Sequence, residues 1–238
     1  DNEIKNFYRY GYYGYYGNET NITGNEIHNT GSAGHQSGTS NKYGIYHYAY
    51  RKNIGNSKIN DNYIHNLDSS SSYTGSHYGI YMYAYYSSGS NIEMSNNNVT
   101  LTSAQGGGYG IYAYGYQSTF TGYFRANDNY IEIEAQSTGS TTYTYAYGIY
   151  NFATYYNYYV DEISIDRNEL HLSSSYYIFG IYNYAYYCTG QQVNPSITNN
   201  IVNAGADGYV YGIYVYGYNS NRNMDMYNNT VNIEGWKN

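Results

Sequence analysis

Two patterns of apolar and polar positions recur along the chain. The first alternates isoleucine and alanine with tyrosine, as in YGIYHYAY at Tyr43–Tyr50, and a weaker copy, FYRYGY, runs over Phe7–Tyr12. The apolar anchors of the seven copies, which lie 31 to 38 residues apart, are Phe7, Ile45, Ile80, Ile111, Ile149, Ile181 and Ile213. Alternation with a period of two predicts a β-strand in each copy. Recurrence at this spacing predicts a repeat architecture.

The second pattern follows each copy and is centred on an asparagine. These asparagines are Asn25, Asn62, Asn97, Asn129, Asn168, Asn200 and Asn229. Apolar residues stand three positions before each asparagine and two positions after it, which predicts a short strand on either side. We expect the asparagine to lie at a sharp bend, where it tolerates left-handed backbone geometry. Its amide can bond to the same amide one repeat above and below, so the sequence predicts an internal asparagine ladder.

Three strands and three bends per repeat predict an all-β fold. We expect a single-domain parallel β-helix, or β-solenoid, over residues 1–238, with about seven coils and three short strands per coil. A seven-bladed propeller fits less well, because each blade needs four strands and about 40 residues. An outer-membrane barrel would confine its aromatic residues to two girdles, whereas here they fill whole strands.

The GIY segments and the segments around each asparagine resemble the right-handed parallel β-helix superfamily. That superfamily includes pectate lyases, phage tailspikes and many autotransporter passengers and adhesins. The resemblance covers about Phe7 to Glu234, and it is specific for architecture rather than for activity. It implies that the isoleucine of each GIY segment faces the core and that the neighbouring tyrosines face outward.

Outward-facing tyrosines would form columns along the solenoid. The first two columns are Tyr46, Tyr81, Tyr112, Tyr150, Tyr182 and Tyr214, then Tyr48, Tyr83, Tyr114, Phe152, Tyr184 and Tyr216. A third contains Tyr50, Tyr85, Tyr116, Tyr186 and Tyr218. The alternative is that the tyrosines face inward, since the positions between them hold residues as polar as His47, Asn151 and Asn183. We favour the outward arrangement, which makes the tyrosines of the first two columns a candidate binding or self-association face. The simpler interpretation is that stacked aromatic pairs stabilise the sheet.

Composition narrows the possible functions. Charged residues make up 11% of the chain, while tyrosine occupies 43 of its 238 positions. The net charge of −7, with only ten Lys and Arg residues, argues against nucleic-acid binding. There is no apolar run of the ~20 residues that a membrane-spanning helix needs. The single cysteine excludes an intramolecular disulfide. The chain opens at Asp1 without a signal peptide, so we interpret it as a processed segment of an extracellular or cell-surface protein.

Candidate catalytic and metal-binding residues are sparse. The repeat spacing makes Asp128 a neighbour of Arg167, which predicts a surface ion pair, and Glu132 a neighbour of His171. A carboxylate beside a histidine can support acid–base chemistry, but we find no third partner for this pair. We therefore assign no catalytic residue and no cofactor.

No metal site is assigned either. His28 and His65 share one outward column, where two imidazoles alone are too few for a metal site and are expected to face solvent. Asp161 and Glu162 are predicted to lie in a loop, and one acidic pair is a weak signal for calcium.

The sequence thus favours a non-enzymatic structural protein. We expect a β-helical rod that associates with further copies of itself end to end, either as an extracellular filament or as part of a surface adhesin. The predicted termini carry no capping helix, which leaves their strands open to another chain. The alternative is a carbohydrate-binding or polysaccharide-cleaving protein whose tyrosine face meets glycans. A trimeric fibre is a third possibility. No nucleic-acid partner and no membrane span are expected.

Overall fold

A computed structural model describes residues 2–15, 19–30, 40–51, 53, 55–67, 75–89, 91–103, 106–135, 143–154, 157–186, 195–218 and 223–234. Within these ranges every regular element is a β-strand, and no helix is long and apolar enough to cross a membrane. The protein is an all-β parallel β-solenoid, as the repeats predict.

The strands follow one another in a regular order. The first twelve are β1 (Glu3–Lys5), β2 (Tyr10–Tyr15), β3 (Asn21–Thr23), β4 (Glu26–His28), β5 (Lys42–Tyr50), β6 (Asn56–Asn60), β7 (Tyr63–His65), β8 (His77–Tyr85), β9 (Ser88–Gly89), β10 (Asn91–Glu93), β11 (Asn98–Ser103) and β12 (Gly108–Tyr116). The others are β13 (Thr119–Asn127), β14 (Tyr130–Ala135), β15 (Tyr145–Thr154), β16 (Asn157–Asp166), β17 (Glu169–Ser174), β18 (Tyr177–Tyr186), β19 (Ser196–Thr198), β20 (Ile201–Ala206), β21 (Tyr209–Tyr218), β22 (Asp225–Tyr227) and β23 (Thr230–Glu234).

These strands form three parallel sheets that run the length of the solenoid. The tyrosine sheet has the order β2-β5-β8-β12-β15-β18-β21. The pre-asparagine sheet has the order β3-β6-β10-β13-β16-β19-β22, with β9 also paired to β13. The post-asparagine sheet has eight strands, in the order β1-β4-β7-β11-β14-β17-β20-β23. Each repeat therefore gives at least one strand to each sheet, and equivalent residues lie directly over one another.

The core is a set of stacked apolar rows, one or more from each sheet. In the tyrosine sheet the isoleucines face inward, and Ile45, Ile80 and Ile111 are fully buried. The other two sheets contribute the residues that flank each asparagine, such as Met94 before Asn97 and Val99 after it. Tyr46 and its equivalents lie on the opposite, outer side of their sheet and are half-buried. The predicted outward arrangement of the tyrosines is the one that the structure has.

A glycine in each GIY segment interrupts the alternation. A Cβ at Gly44 would collide with the Ile64 side chain of the post-asparagine sheet and would lie 2.8 Å from the Gly79 carbonyl oxygen. Gly44 and Ile45 therefore both face inward, and the residues on either side, Tyr43 and Tyr46, both face outward. The same collision recurs at the equivalent glycines of the other coils, so this close approach of two sheets explains why glycine recurs there.

The sharp bend before each strand of the post-asparagine sheet is made by a different residue from the one predicted. The left-handed backbone belongs to the residue before each ladder asparagine, not to the asparagine itself. These residues, with φ between 53° and 68°, are Gly24, Asp61, Asn96, Asp128, Arg167, Asn199 and Asn228. Most are Asn, Asp or Gly, which tolerate this region best. The bend residue turns the chain, and the next residue can then point its amide into the solenoid.

The first coil also differs from the repeat that was predicted for it. Phe7 was expected to match Ile45, but the strand register pairs Tyr12 with Ile45 and Tyr13 with Tyr46. Phe7 instead packs against the core from the loop before β2. In addition, the unpredicted strand β1 pairs with β4 and covers the N-terminal edge of the post-asparagine sheet.

Candidate functional site

The asparagine ladder is continuous through the solenoid. The Asn62 side chain donates from Nδ2 to Asn97 Oδ1 at 3.0 Å and to the Ile22 carbonyl oxygen at 2.9 Å, and its backbone N–H donates to the same Oδ1 at 3.1 Å. The side-chain link to the next asparagine repeats along all seven predicted asparagines, Asn25, Asn62, Asn97, Asn129, Asn168, Asn200 and Asn229. Asn2 extends the ladder at its start by donating to Asn25 Oδ1 at 3.1 Å. Both amide protons of each interior member are thus satisfied inside the protein.

The ladder has a direction. Every amide donates towards the C-terminal coil and accepts from the N-terminal one, so the ladder begins at Asn2 and stops at Asn229 within the described residues. Asn229 Oδ1 accepts from Asn200 at 2.9 Å, and Asn229 Nδ2 donates back to the Ile197 carbonyl oxygen at 2.8 Å. A further asparagine stacked beyond Asn229 would complete its pattern of donors.

The three predicted tyrosine columns are present. In the column of Tyr46, Tyr81, Tyr112, Tyr150, Tyr182 and Tyr214, adjacent ring centroids are 4.6 to 5.0 Å apart and the rings lie within 10° of parallel. In the column of Tyr48, Tyr83, Tyr114, Phe152, Tyr184 and Tyr216 the separations are 4.4 to 5.2 Å. The third column is stacked in two runs, with Tyr85 4.9 Å from Tyr116 and Tyr186 5.1 Å from Tyr218, because Thr154 holds the position between Tyr116 and Tyr186. The rings of one column therefore cover each other's faces.

A fourth aromatic column was missed in the sequence. It consists of Tyr43, Tyr78, Tyr109, Tyr147, Phe179 and Tyr211, with ring centroids 4.5 to 4.9 Å apart. Its rings meet the neighbouring column edge to face, as in the pair Tyr43 and Tyr46 at 5.0 Å and 80°. Strict alternation predicts that these residues face inward, and the glycine that follows each of them was the signal for the reversed direction.

Burial within the columns changes the acidity of the phenols. Burial, followed by the nearby phenols, raises the pKa of Tyr81 and Tyr109 well above the usual tyrosine range. The same causes raise the pKa of Tyr83 and Tyr182 to about 12. Phenols of this kind stay neutral at physiological pH, so the face presents ring edges and neutral hydroxyls rather than charge.

The coil at the C-terminal edge leaves core positions exposed. Met226, Val231 and Ile233 are 55%, 41% and 57% exposed, because the described residues include no coil beyond them. In the preceding coil the equivalent residues Ile197, Val202 and Ala204 are at most 3% exposed. This edge is therefore an apolar surface bordered by β21, β22 and β23, each of which pairs with the preceding coil and has no partner on its outer edge among the described residues.

The predicted ion pair is present, but the predicted acid–base pair is not hydrogen-bonded. Arg167 binds both carboxylate oxygens of Asp128, at 2.7 and 2.8 Å, as expected. Glu132 and His171 are neighbours by strand register, yet His171 Nε2 bonds to Glu169 at 2.8 Å. These two residues line an open groove of about 470 Å³ on the post-asparagine sheet. Asn203, Asn232 and Glu234 also line it.

The predicted acidic loop is part of a strand. Asp161 and Glu162 belong to β16, and the carboxylate of Glu162 is held by Arg125 Nε at 2.8 Å. The Asp161 side chain lies outside the described part of the structure. Glu162 therefore lies in an ion pair with Arg125 on a strand and not in an acidic loop.

The two histidines of the first coils, His28 and His65, were expected to face solvent, but both side chains are largely buried. The His28 side chain is 8% exposed and that of His65 is 13% exposed. Their rings stack 4.7 Å apart at 7°, and their Nε2 atoms face carboxylates. His28 Nε2 is 3.1 Å from Glu3 Oε1, and His65 Nε2 is 3.0 Å from Glu26 Oε1.

Polar residues also interrupt the inner row of the tyrosine sheet. His47 is fully buried, and neither of its ring nitrogens has a hydrogen-bond partner. Burial lowers the pKa of His47 to about 4. Further along the same row, Asn151 Nδ2 donates to Asn183 Oδ1 at 2.8 Å.

Fold and columns together define the class: the protein is a tyrosine-rich parallel β-solenoid with an internal asparagine ladder. Comparison with protein-family models, with curated proteins and with solved structures finds no match to the chain. The features that bear on its function are therefore its own edges, columns and side-chain clusters.

Proposed function

We propose that this protein is a non-enzymatic structural protein, a β-solenoid rod that stacks end to end with further copies of itself. The product is an extracellular filament or a segment of a surface adhesin, built on the right-handed β-helix plan that the sequence resembles. The observation that carries the proposal is the exposure of Met226, Val231 and Ile233, whose equivalents in the preceding coil, Ile197, Val202 and Ala204, are buried. A second copy is the occupant that fits this edge, for three reasons.

The strand order of the sheets is the first reason. The tyrosine sheet has β2 at one edge and β21 at the other, and the pre-asparagine sheet has β3 and β22. All pairs in these sheets are parallel, so the strands of a second copy in the same orientation would continue both sheets. Unpaired strand edges are templates for another chain. In this joint β2 of one copy pairs with β21 of the other, and β3 pairs with β22.

The side-chain columns are the second reason. In that joint Tyr13 and Tyr15 of one copy would stack on Tyr214 and Tyr216 of the other, because the register places Tyr13 with Tyr46 and Tyr15 with Tyr48. Asn25 of the incoming copy would accept from the Asn229 amide, in the direction that the ladder already has. Core rows, aromatic columns and ladder would therefore all continue across one contact.

The third reason is that the strand covering the N-terminal edge, β1, is short and mostly exposed. β1 and β23 belong to the same sheet, at opposite edges. In a continuous spiral, β23 of one copy takes the edge of β4 that β1 covers in the dispersed chain. β1 must therefore leave when the joint forms. It has only three residues, and two of them, Glu3 and Lys5, are exposed, so few buried contacts oppose this exchange.

Glycan binding or cleavage is the second candidate. The groove beside Glu132 and His171 favours it, since a polar cleft on a solenoid face can hold a polysaccharide. The tyrosine face favours it less, because a sugar stacks on an aromatic ring face and here the faces are covered by neighbouring rings. A glycan array and a reducing-sugar assay separate the candidates. Saturable binding or cleavage that Glu132→Gln abolishes would favour the second one.

Assembly is tested on the purified chain by light scattering over a concentration series, together with negative-stain electron microscopy. We expect the mass to rise with concentration and unbranched rods to lengthen without becoming wider. Dispersed single chains at every concentration would contradict the proposal. A stable assembly of three chains would favour a trimeric fibre instead.

A further inference from the structure

Four side chains from three adjacent strands converge at the N-terminal edge of the post-asparagine sheet. Glu3 lies on β1, Glu26 and His28 lie on β4, and His65 lies on β7. The register pairs Glu3 with Glu26 and His28 with His65. Because adjacent parallel strands lie about 4.8 Å apart, equivalent side chains of the three strands come close together on the outer side of the sheet.

The separations suit a common ligand. Glu26 Oε1 lies 3.0 Å from His65 Nε2 and 4.0 Å from His28 Nε2, while Glu3 Oε1 lies 3.1 Å from His28 Nε2. One ligand atom from each of Glu26, His28 and His65 falls within 4.8 Å of the others. Ligand atoms at about 2.0–2.2 Å from a tetrahedral ion are separated by roughly 3.3 Å. Small side-chain rotations therefore bring these atoms to an ion between them.

The surroundings restrict the rings without blocking the site. His65 is stacked between His28, at 4.7 Å, and Tyr63, at 4.2 Å. Its Nδ1 accepts from Asn66 Nδ2 at 3.0 Å, which restricts the ring and places the proton of the neutral imidazole on Nε2. A metal bound at Nε2 would replace that proton, and the Asn66 amide would then turn to present Oδ1 to Nδ1–H. Lys5 binds Glu3 through Oε2 and not through Oε1, so the oxygen nearest His28 remains available.

The geometry points to a binding site for a first-row divalent transition metal, with Zn²⁺ as the typical occupant, made by Glu26, His28 and His65 with Glu3 as the fourth ligand. Imidazole and carboxylate together suit zinc and its neighbours, whereas magnesium and calcium prefer all-oxygen sites. From the sequence only the two imidazoles are recognisable at this place, which is why no metal site was predicted here. The strand register adds the two carboxylates.

His171, in the same outer column of the post-asparagine sheet, serves as a control for the proposed site. His171 also bonds to a carboxylate of its own strand, Glu169, at 2.8 Å. However, its neighbours by register are Glu132 and Asn203, so no second imidazole lies beside it. Among the described residues, only the cluster at Glu26, His28 and His65 brings three such groups together.

The test is calorimetric titration of the full chain with Zn²⁺, and separately with Mg²⁺, in metal-free buffer at neutral pH. We expect one saturable zinc site per chain and no magnesium site. Co²⁺ should give the visible absorption of a tetrahedral site with nitrogen and oxygen ligands. Glu26→Gln and His65→Asn should each weaken zinc binding by more than the roughly 10–100-fold typical of losing an outer-shell partner. His171→Asn should leave zinc binding unchanged.

Thermal melting in a chelator checks that each variant is folded, and the exposed Glu26 is the position least expected to disturb folding. The absence of a 1:1 zinc site in the unaltered chain would overturn the inference. Equal affinity in the folded Glu26→Gln and His65→Asn variants would also overturn it, as would loss of binding in His171→Asn. Because Glu3 lies on β1, which leaves when the proposed joint forms, the titration uses the dispersed chain, and its outcome there does not depend on the proposed assembly.

Discussion

The two ends of the solenoid differ in how far their edge strands and core residues are covered. At the N-terminal end the short strand β1 covers the post-asparagine sheet and carries the charged pair Glu3 and Lys5, with Nζ 2.9 Å from Oε2. At the C-terminal end the last strand, β23, leaves Val231 and Ile233 exposed. A residue's position in the repeat therefore does not fix its burial. Val202 and Val231 hold the same place in successive coils, yet only Val202 is buried.

This difference teaches that each coil depends on a neighbour at both sides. An interior coil has its core rows, ladder and rings covered above and below, whereas an end coil has half of these contacts. The N-terminal edge of the post-asparagine sheet is covered by β1, and no strand covers its C-terminal edge in the described part of the chain. In the proposed assembly these two edges are the two halves of one joint.

The largest effect is expected from placing a charge in that joint. Ile233→Lys puts an ammonium group where a second copy would bury the side chain, and burying an unpaired charge costs several kcal/mol. We expect assembly to be lost, as measured by light scattering. The stability of the dispersed chain should change by about 0.5 kcal/mol or less, since the site is exposed.

Asn232→Lys is the matched control, because Asn232 lies next to Ile233 but faces outward, where it donates to Asn203 at 2.8 Å. It should leave assembly intact. If both substitutions act alike, general charge and not the apolar edge governs association.

The next effect compares the middle of the ladder with its end. Asn129→Ala removes a buried amide that donates to Asn168 and accepts from Asn97, leaving several buried groups without partners. We expect a loss of about 3–5 kcal/mol of unfolding free energy. Asn229→Ala, at the exposed end, should cost about 1 kcal/mol. Urea denaturation of the dispersed chains measures both, and equal losses would show that the ladder is not cooperative along the axis.

A smaller effect concerns His47 and acid. Its pKa in the folded chain is about 4, against an ordinary value of 6.5, so between these values the unfolded chain binds a proton that the folded chain does not. Stability should therefore fall as the pH drops from 6.5 to 4, by about 3 kcal/mol at most. His47→Met, which copies Met82 of the next coil, should remove this part of the acid sensitivity. Identical slopes of stability against pH in the two chains would contradict the assignment.

The smallest effect is spectroscopic and concerns the interior of the tyrosine face. Because burial raises the pKa of Tyr83 and Tyr182 to about 12, and that of Tyr81 further, these phenols should ionise late. A raised pKa in the folded state means that stability is complete below pH 10 and is lost as the pH rises towards the folded values. The absorbance change of these buried phenols should therefore accompany alkaline unfolding. Ionisation of these buried phenols near pH 10 in the folded chain would contradict the stacked columns.

Much of the architecture could be predicted because the repeat places like residues in register. The seven ladder asparagines follow from spacing alone, whereas the inward isoleucines and the outward Tyr46 column were implied by the resemblance to β-helix proteins. The column of Tyr43 could not be found that way, since the glycine after it shifts the alternation by one residue. The position of Phe7 was misassigned because its copy is short and aromatic residues fill both sides of it.

The proposed metal site at the N-terminal edge could not be predicted from the sequence, for a different reason. β1 has three residues and no repeat motif, so nothing in the sequence places Glu3 beside His28. Glu26 and His65 lie on different strands and become neighbours only when the coils stack. Similarly, the sequence pattern marked the ladder asparagine itself as the bend, although the left-handed residue is the one before it.

The most direct test of end-to-end stacking is a helical reconstruction, by electron cryo-microscopy, of the filaments formed by the unaltered chain. We expect β2 of one copy beside β21 of the next and β3 beside β22, at the ~4.8 Å spacing of neighbouring strands, with Tyr13 stacked on Tyr214. Filaments joined sideways through their tyrosine sheets would contradict this account.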